Sequence, residues 1–232
     1  MSIELKNKLI EIHSDCIDTV TNLSKNLHSN QSSISDNKRL FNLDKIVRKV
    51  FNGQDANTSA DAMYITNNAI TFIEFKGGFH DLISDKTKDS SLIKCPKNKN
   101  IECDDYFQLF TLKREKEKEN LRCNLICKII ETFIFYKYEL LNLINNDNTQ
   151  KIKLNFFVVI NDYLEDYEST FLEFTNGSKA TSSGKESFNN VISTINQLTK
   201  RFRNKNGQYY YHNVQAYGVT EFKKILAKYS SL

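Results

Sequence analysis

The chain is poor in the residues that interrupt structure: among 232 residues it has one proline, Pro96, and seven glycines. No stretch is rich enough in either to mark a flexible linker, and no internal repeat is visible, so the sequence predicts a single domain. It also lacks any run near the ~20 uninterrupted apolar residues that a membrane span needs. Its first residues, MSIELKNKLIEIHSDC, carry charges throughout where a secretory leader would have an apolar centre. The five cysteines (Cys16, Cys95, Cys103, Cys123 and Cys127) are odd in number and irregularly spaced, and no two form a C-x2-C pair. That pattern argues against a disulfide framework and a structural zinc site, and for idle reduced thiols. The four histidines, His13, His28, His80 and His212, form no motif. These absences predict a cytoplasmic protein with no membrane partner.

What is present is ordinary for a globular chain: 40% hydrophobic and 26% charged residues, with a formal net charge of +4. A chain of this length can bury about 70% of the surface it exposes when unfolded. The mild basicity permits a polyanionic partner without demanding one.

Apolar residues at near-helical spacing (Leu5, Leu9, Cys16, Ile17, Val20, Leu23, Leu27) predict one long amphipathic helix over residues 3–28. A polar loop follows, and LFNLDKIVRKVF reads as a second helix stopped by Asn52-Gly53. Two strands come next, then a polar stretch from Gly77 to about Asn100. Residues 104–145 read as the longest helix, charged at first and then almost wholly apolar, so its second half should be buried. KIKLNFFVVIND predicts a strand buried on both faces, and a helix is expected over about 186–203. YYYHNVQAYG reads as a strand, and TEFKKILAKY as a closing helix with Thr220 as its N-cap. The order predicts an α/β fold, a central mixed β-sheet flanked by helices. The core should span about 1–165, with a helix–strand–helix extension over about 186–232.

The most informative stretch is DAMYITNNAITFIEFK, residues 61–76. If Asn67-Asn68 is a two-residue hairpin loop, for which Asn tolerates positive φ, facing residues have numbers that sum to 135. Asp61 then faces Glu74, with Cβ atoms about 4.5–5.5 Å apart. Strand alternation puts Lys76 on the same side. Two facing carboxylates repel unless a cation sits between them, and a divalent metal with oxygen ligands would supply one. Gly77 and Gly78 follow, leaving room for a sharp turn or a close approach.

These residues resemble the motif of the PD-(D/E)xK nuclease superfamily: an Asp opening one strand and a Glu-x-Lys on the next, among apolar residues. The resemblance implies a restriction-endonuclease-like core and hydrolysis of phosphodiester bonds, in DNA more than in RNA. It implies Mg²⁺ or Mn²⁺ held by Asp61, Glu74 and the backbone carbonyl of Phe75, with Asp61, Glu74 and Lys76 as the catalytic set. Ala60 stands where relatives often have proline, and no strand before Asp61 is evident in the sequence. Many members act as dimers, so a homodimer is compatible with the resemblance.

Further candidates surround this motif. Lys128 and Glu131, charges inside LICKIIETFIF, either pair with each other or reach the site from a packed helix. Glu11 on the first helix could add a carboxylate, although Glu4 and Asp18 mark that face as solvated. Asp55 could replace Asp61, and Gln108 and His80 are weaker candidates. For nucleic-acid contact, TKRFRNKNGQYYYH combines Lys200, Arg201, Arg203 and Lys205 with Tyr209, pairing phosphate attraction with stacking surface. The rival readings are a catalytically inactive nucleic-acid-binding or scaffold protein, a metal-dependent ribonuclease, and an interaction protein indifferent to metal.

Overall fold

The computed structural model describes residues 2–25, 32–53, 58–76, 123–144, 152–160, 195 and 202–230. Gly77, Gly78, His80, Asp55, His28, Gln108, Lys200, Arg201, Cys95 and Cys103 lie outside these, as do the polar stretch after Lys76 and most of the helix expected over 186–203.

The described elements are α1 (Ser2–His13), a 3-10 turn (Ser14–Cys16), β1 (Ile17–Thr19), α2 (Val20–Leu23), β2 (Arg39–Asn42) and α3 (Leu43–Val50). Then come β3 (Ala62–Ile65), β4 (Ala69–Lys76) and helix α4, described over 123–135, which continues into a π-helical turn (Tyr136–Leu140) and a 3-10 turn (Leu141–Leu143). β5 (Lys153–Ile160), β6 (Asn213–Gly218) and α5 (Val219–Leu226) complete the set. The six strands form one sheet in chain order. Strands β1 to β4 are antiparallel neighbours, whereas β4, β5 and β6 run parallel. The fold is therefore α/β with a mixed sheet.

Alternation along the strands makes two cores. On one face Met63, Ile65, Ile70, Phe72, Phe156 and Val158 pack with Leu5 and Leu9 of α1, Ile46 of α3, and Leu125, Ile129 and Phe135 of α4. On the other, Ala62, Tyr64, Ile73, Phe75, Phe157 and Val159 pack with Val20 of α2 and with Val219, Phe222 and Leu226 of α5. Each large apolar side chain buried in this way contributes roughly 1.5–3 kcal/mol. Tyr64 adds a ring stacked on Tyr229 at 3.9 Å and a hydroxyl that donates to the Ser230 carbonyl at 3.0 Å. The expected C-terminal extension is thus built into the main sheet through β6 and α5.

Several local expectations are corrected. The first helix ends at His13, because the next residues make better partners elsewhere. Asp18 Oδ1 accepts the Thr19 N–H at 2.8 Å, Thr19 caps α2, and Ile17 pairs with Phe41 in the sheet. The apolar spacing continues across this break by coincidence. The second expected helix begins as β2: Leu40 and Phe41 point into opposite cores, and Asn42 then caps α3 by accepting from the Lys45 N–H. This also supplies the strand before Asp61 that the sequence did not show.

The apolar half of the helix expected over 104–145 is not buried all round: Ile130 and Ile134 of α4, and Tyr138 of the π-helical turn after it, are exposed on its outer face. Residues 202–203 are extended, since Arg203 bridges to Tyr209. The N-cap of α5 is Gly218, which offers no side-chain cap, and Thr220 sits inside the first turn. The stop of α3 is as the sequence predicts: Asn52 (φ 51) and Gly53 (φ 73) adopt left-handed conformations, and the Gly53 N–H returns to the Arg48 carbonyl at 2.7 Å.

Candidate active site

The register of the hairpin builds the site. Ala62 pairs with Ile73, Tyr64 with Thr71 and Ile65 with Ile70, so each facing pair sums to 135. Asp61, one residue before β3, thus stands across from Glu74. The turn differs from the expected one. Neither Asn67 nor Asn68 has positive φ, and Thr66 holds the chain instead. Its N–H donates to the Ala69 carbonyl at 2.8 Å, and its Oγ1 accepts from the Ala69 N–H at 3.1 Å.

Asp61 is held from three sides. Its carbonyl accepts from the Leu43 N–H at 3.1 Å, extending the β2–β3 ladder. Its Oδ2 accepts from the Phe75 N–H at 2.6 Å. The preceding Ala60 N–H donates to Thr132 Oγ1 of α4 at 2.9 Å. In the hairpin pattern that Ala60 N–H would have met the carbonyl of Phe75. Strand geometry points the Phe75 carbonyl to the same side as its own N–H, toward Asp61.

Helix α4 crosses this end of the sheet on the Glu74 face and lays a polar stripe along it. Asn124, Glu131 and Thr132 each lie three or four residues from Lys128 and so share its face. Asn124 Oδ1 accepts from Lys76 Nζ at 2.9 Å. Lys128 Nζ donates to Glu74 Oε2 at 2.7 Å and to Asp61 Oδ1 at 3.3 Å. Glu131 accepts from the N–H and hydroxyl of Thr58, at 2.6 and 2.9 Å. Lys128 and Glu131 therefore do not pair with each other. Lys76 Nζ takes the other oxygen of Glu74 at 2.7 Å. The result is a compact cluster of two carboxylates and two ammonium groups. Glu74 is almost fully buried, at 1% side-chain exposure, whereas Asp61 retains 27%.

The electrostatics follow from this placement. Burial, together with the facing Glu74, pushes the Asp61 carboxyl up to about 7, against the pull of Lys128, the Phe75 N–H and Lys76. Burial works against the Lys128 ammonium, yet Glu74 and Asp61 outweigh it and raise its pKa. The cation that bridges the two facing carboxylates is, in this structure, Lys128, with Lys76 beside it on Glu74.

The other candidates fall elsewhere. Glu11 is exposed and pairs with Lys8 at 2.9 Å, away from the stripe of Leu5, Leu9 and His13 that α1 buries. Arg203 lies over the Tyr209 ring at 4.3 Å, in a surface turn with Lys205 that Asn204 closes by accepting from the N–H groups of Asn206 and Gln208. That turn is anchored through Tyr210, packed on Phe133 at 4.6 Å, and Tyr211, whose hydroxyl donates to the Ile129 carbonyl at 2.8 Å. It is rooted at the start of β5, where the His212 N–H donates to Leu154, whereas Lys76 is in register with Ile160 at the end of that strand. At about 3.3 Å per residue these positions are roughly 20 Å apart, so the turn is not rooted beside the charge cluster.

Sequence reasoning missed Asn124 and Thr132. The signal was available, because both lie four residues from Lys128 inside an otherwise apolar helix. Among the described residues no group of three His, Cys, Asp or Glu side chains is placed to hold a metal ion. The donors that fit one are Asp61, Glu74 and the Phe75 carbonyl. An all-oxygen set with two carboxylates suits Mg²⁺ or Mn²⁺, which commonly take one or two carboxylates and complete their shell with water or phosphate oxygens. Among the described residues no helix is long and apolar enough to cross a membrane. Compared with protein-family models, with curated proteins and with solved structures, the chain matches none.

Proposed function

We propose that this protein is a metal-dependent nuclease that hydrolyses phosphodiester bonds, in DNA in preference to RNA, on a restriction-endonuclease-like core. The observation that carries the reading is the placement of Asp61 opposite Glu74 on one face of the hairpin, with Lys76 beside them. The element order also supports it: a helix, an antiparallel run of strands ending in Glu74-Phe75-Lys76, then a helix leading to a parallel strand.

In this reading Asp61, Glu74 and the Phe75 carbonyl hold Mg²⁺ or Mn²⁺, which supplies hydroxide near neutral pH and neutralises phosphoryl oxygens. Asp61 contributes a carboxylate fixed by the Phe75 N–H. Glu74 contributes one that is shielded from water, where each charge acts more strongly. Lys76, held between Glu74 and Asn124, is a pre-positioned cation for the charge that develops on the phosphate.

A second reading is favoured by Lys128. Its ammonium already bridges both carboxylates, as it would in a nuclease-like chain that binds nucleic acid without cutting it. Cleavage of supercoiled plasmid, linear duplex, single-stranded DNA and RNA with Mg²⁺ or Mn²⁺ separates the two. The nuclease reading expects cleavage that EDTA, Glu74→Ala and Lys76→Ala each reduce at least about a hundredfold. Cleavage that persists in Glu74→Ala removes this site from the chemistry. Nucleic-acid binding without cleavage in any metal favours the second reading.

A further inference from the structure

The geometry points to Lys128 as a resident counter-cation that a divalent metal must displace to occupy the Asp61–Glu74 pair, so that this lysine sets the metal affinity of the site. The inference rests on the metal-dependent reading above and specifies how the site is regulated.

Each carboxylate has one oxygen held from the sheet and one turned toward α4. Asp61 Oδ2 is taken by the Phe75 N–H and Glu74 Oε1 by Lys76. That leaves Asp61 Oδ1 and Glu74 Oε2, one from each carboxylate, and both converge on the single Nζ of Lys128. The Lys128 ammonium therefore lies between the two carboxylates, in the place that a cation shared by them would take, and the two cations compete for it. The competition is unequal in charge and distance. A divalent ion carries twice the charge and approaches oxygen to about 2.0–2.1 Å, inside any ammonium contact. Lys128, on a flexible four-carbon stem with 17% of its side chain exposed, has a route outward to water. The metal must nevertheless break two charge-assisted hydrogen bonds, one of them to a carboxylate that is almost fully buried. The structure thus has its own cation in place, and a metal ion pays the cost of removing it.

The rest of the stripe supports this role. Asn124 and Thr132, one turn to either side of Lys128, hold Lys76 and Ala60 and thereby fix α4 over the pair. Lys128 can therefore leave without the helix leaving.

The test is Mn²⁺ binding to the full chain, with free Mn²⁺ read by electron paramagnetic resonance, for wild type, Lys128→Met, Lys128→Gln and Glu74→Gln. Removing the competitor is expected to tighten Mn²⁺ binding about tenfold or more in both Lys128 variants. Glu74→Gln, which removes a ligand, is expected to weaken it. Lys128→Met leaves Lys76 as the one ammonium beside two facing carboxylates, so circular dichroism with and without Mn²⁺ accompanies each titration. A Lys128→Met chain that folds only when Mn²⁺ is added supports the inference, and Lys128→Gln, which keeps a hydrogen-bond donor, then supplies the affinity. Lys128 variants that bind Mn²⁺ no more tightly than wild type, while Glu74→Gln binds it less well, overturn the displacement and leave the metal site standing. Four chains that are alike in failing to bind Mn²⁺ overturn the metal-dependent reading itself.

Discussion

Glu74 and Lys128 are joined at 2.7 Å between Oε2 and Nζ, across a separation of 54 residues. The contact links the end of a central strand to the helix that crosses over it. Neither partner suits its surroundings alone. Glu74 lies in a strand between the buried Ile73 and Phe75, and Lys128 in a helix whose adjacent Ile129 is fully buried.

Asp61 gives this cluster a pH signature. Its carboxyl titrates near 7 in the folded chain, against 3.8 for the ordinary side chain. Between those values the folded protein holds a proton that the unfolded chain has lost. The stability from this group is therefore full below about pH 3.8 and is lost as pH rises through about 7. In metal-free buffer the urea midpoint is expected to fall across that window, and Asp61→Asn is expected to flatten the fall. An unchanged slope in Asp61→Asn would assign it to another group. The raised Lys128 pKa acts only above the ordinary lysine range and leaves this window untouched.

Thr132 is fully buried, and its hydroxyl is the acceptor for the Ala60 N–H. Thr132→Val keeps the shape and removes the acceptor, leaving a buried amide unpaired. The expected cost is about 1–3 kcal/mol in urea unfolding, with faster hydrogen exchange at the Ala60 amide. A neutral substitution would mean that the amide has another acceptor.

The hairpin turn offers a test of opposite sign to the usual design rule. Asn-Gly strengthens two-residue turns that need positive φ, but Asn68 does not adopt it. Asn68→Gly is thus expected to destabilise by about 0.5–1 kcal/mol, through the extra freedom of the unfolded chain. A gain in thermal midpoint would show that the turn takes the left-handed form in solution.

How much of this was legible in the sequence depended on how local the cause was. The Asp61–Glu74 facing followed from a two-residue connection and strand alternation, both short-range rules, and it held even though the turn chemistry behind it differed. The break after His13 was not legible. The spacing of Leu5, Leu9, Cys16 and Val20 is helical, while the pairing of Ile17 with Phe41 that overrides it is a tertiary contact. β2 was hidden in the same way, since two strand residues run directly into the N-cap of α3. Lys128 stood out as a charge among apolar residues, but its partners lie 54 and 67 positions away. Spacing within one helix could offer only Glu131, and Glu131 instead takes Thr58.

Above about pH 7, where Asp61 is ionised, the charges gathered around Glu74 sum to zero, two negative and two positive. Seen from beyond a Debye length of about 8 Å, such a quadruplet casts almost no field, so it neither repels nor steers an approaching polyanion. A bound divalent ion would leave the same four side chains and turn the sum to +2. Long-range attraction at this end of the sheet would then switch on with the ion, and its salt dependence would appear only in the ion's presence.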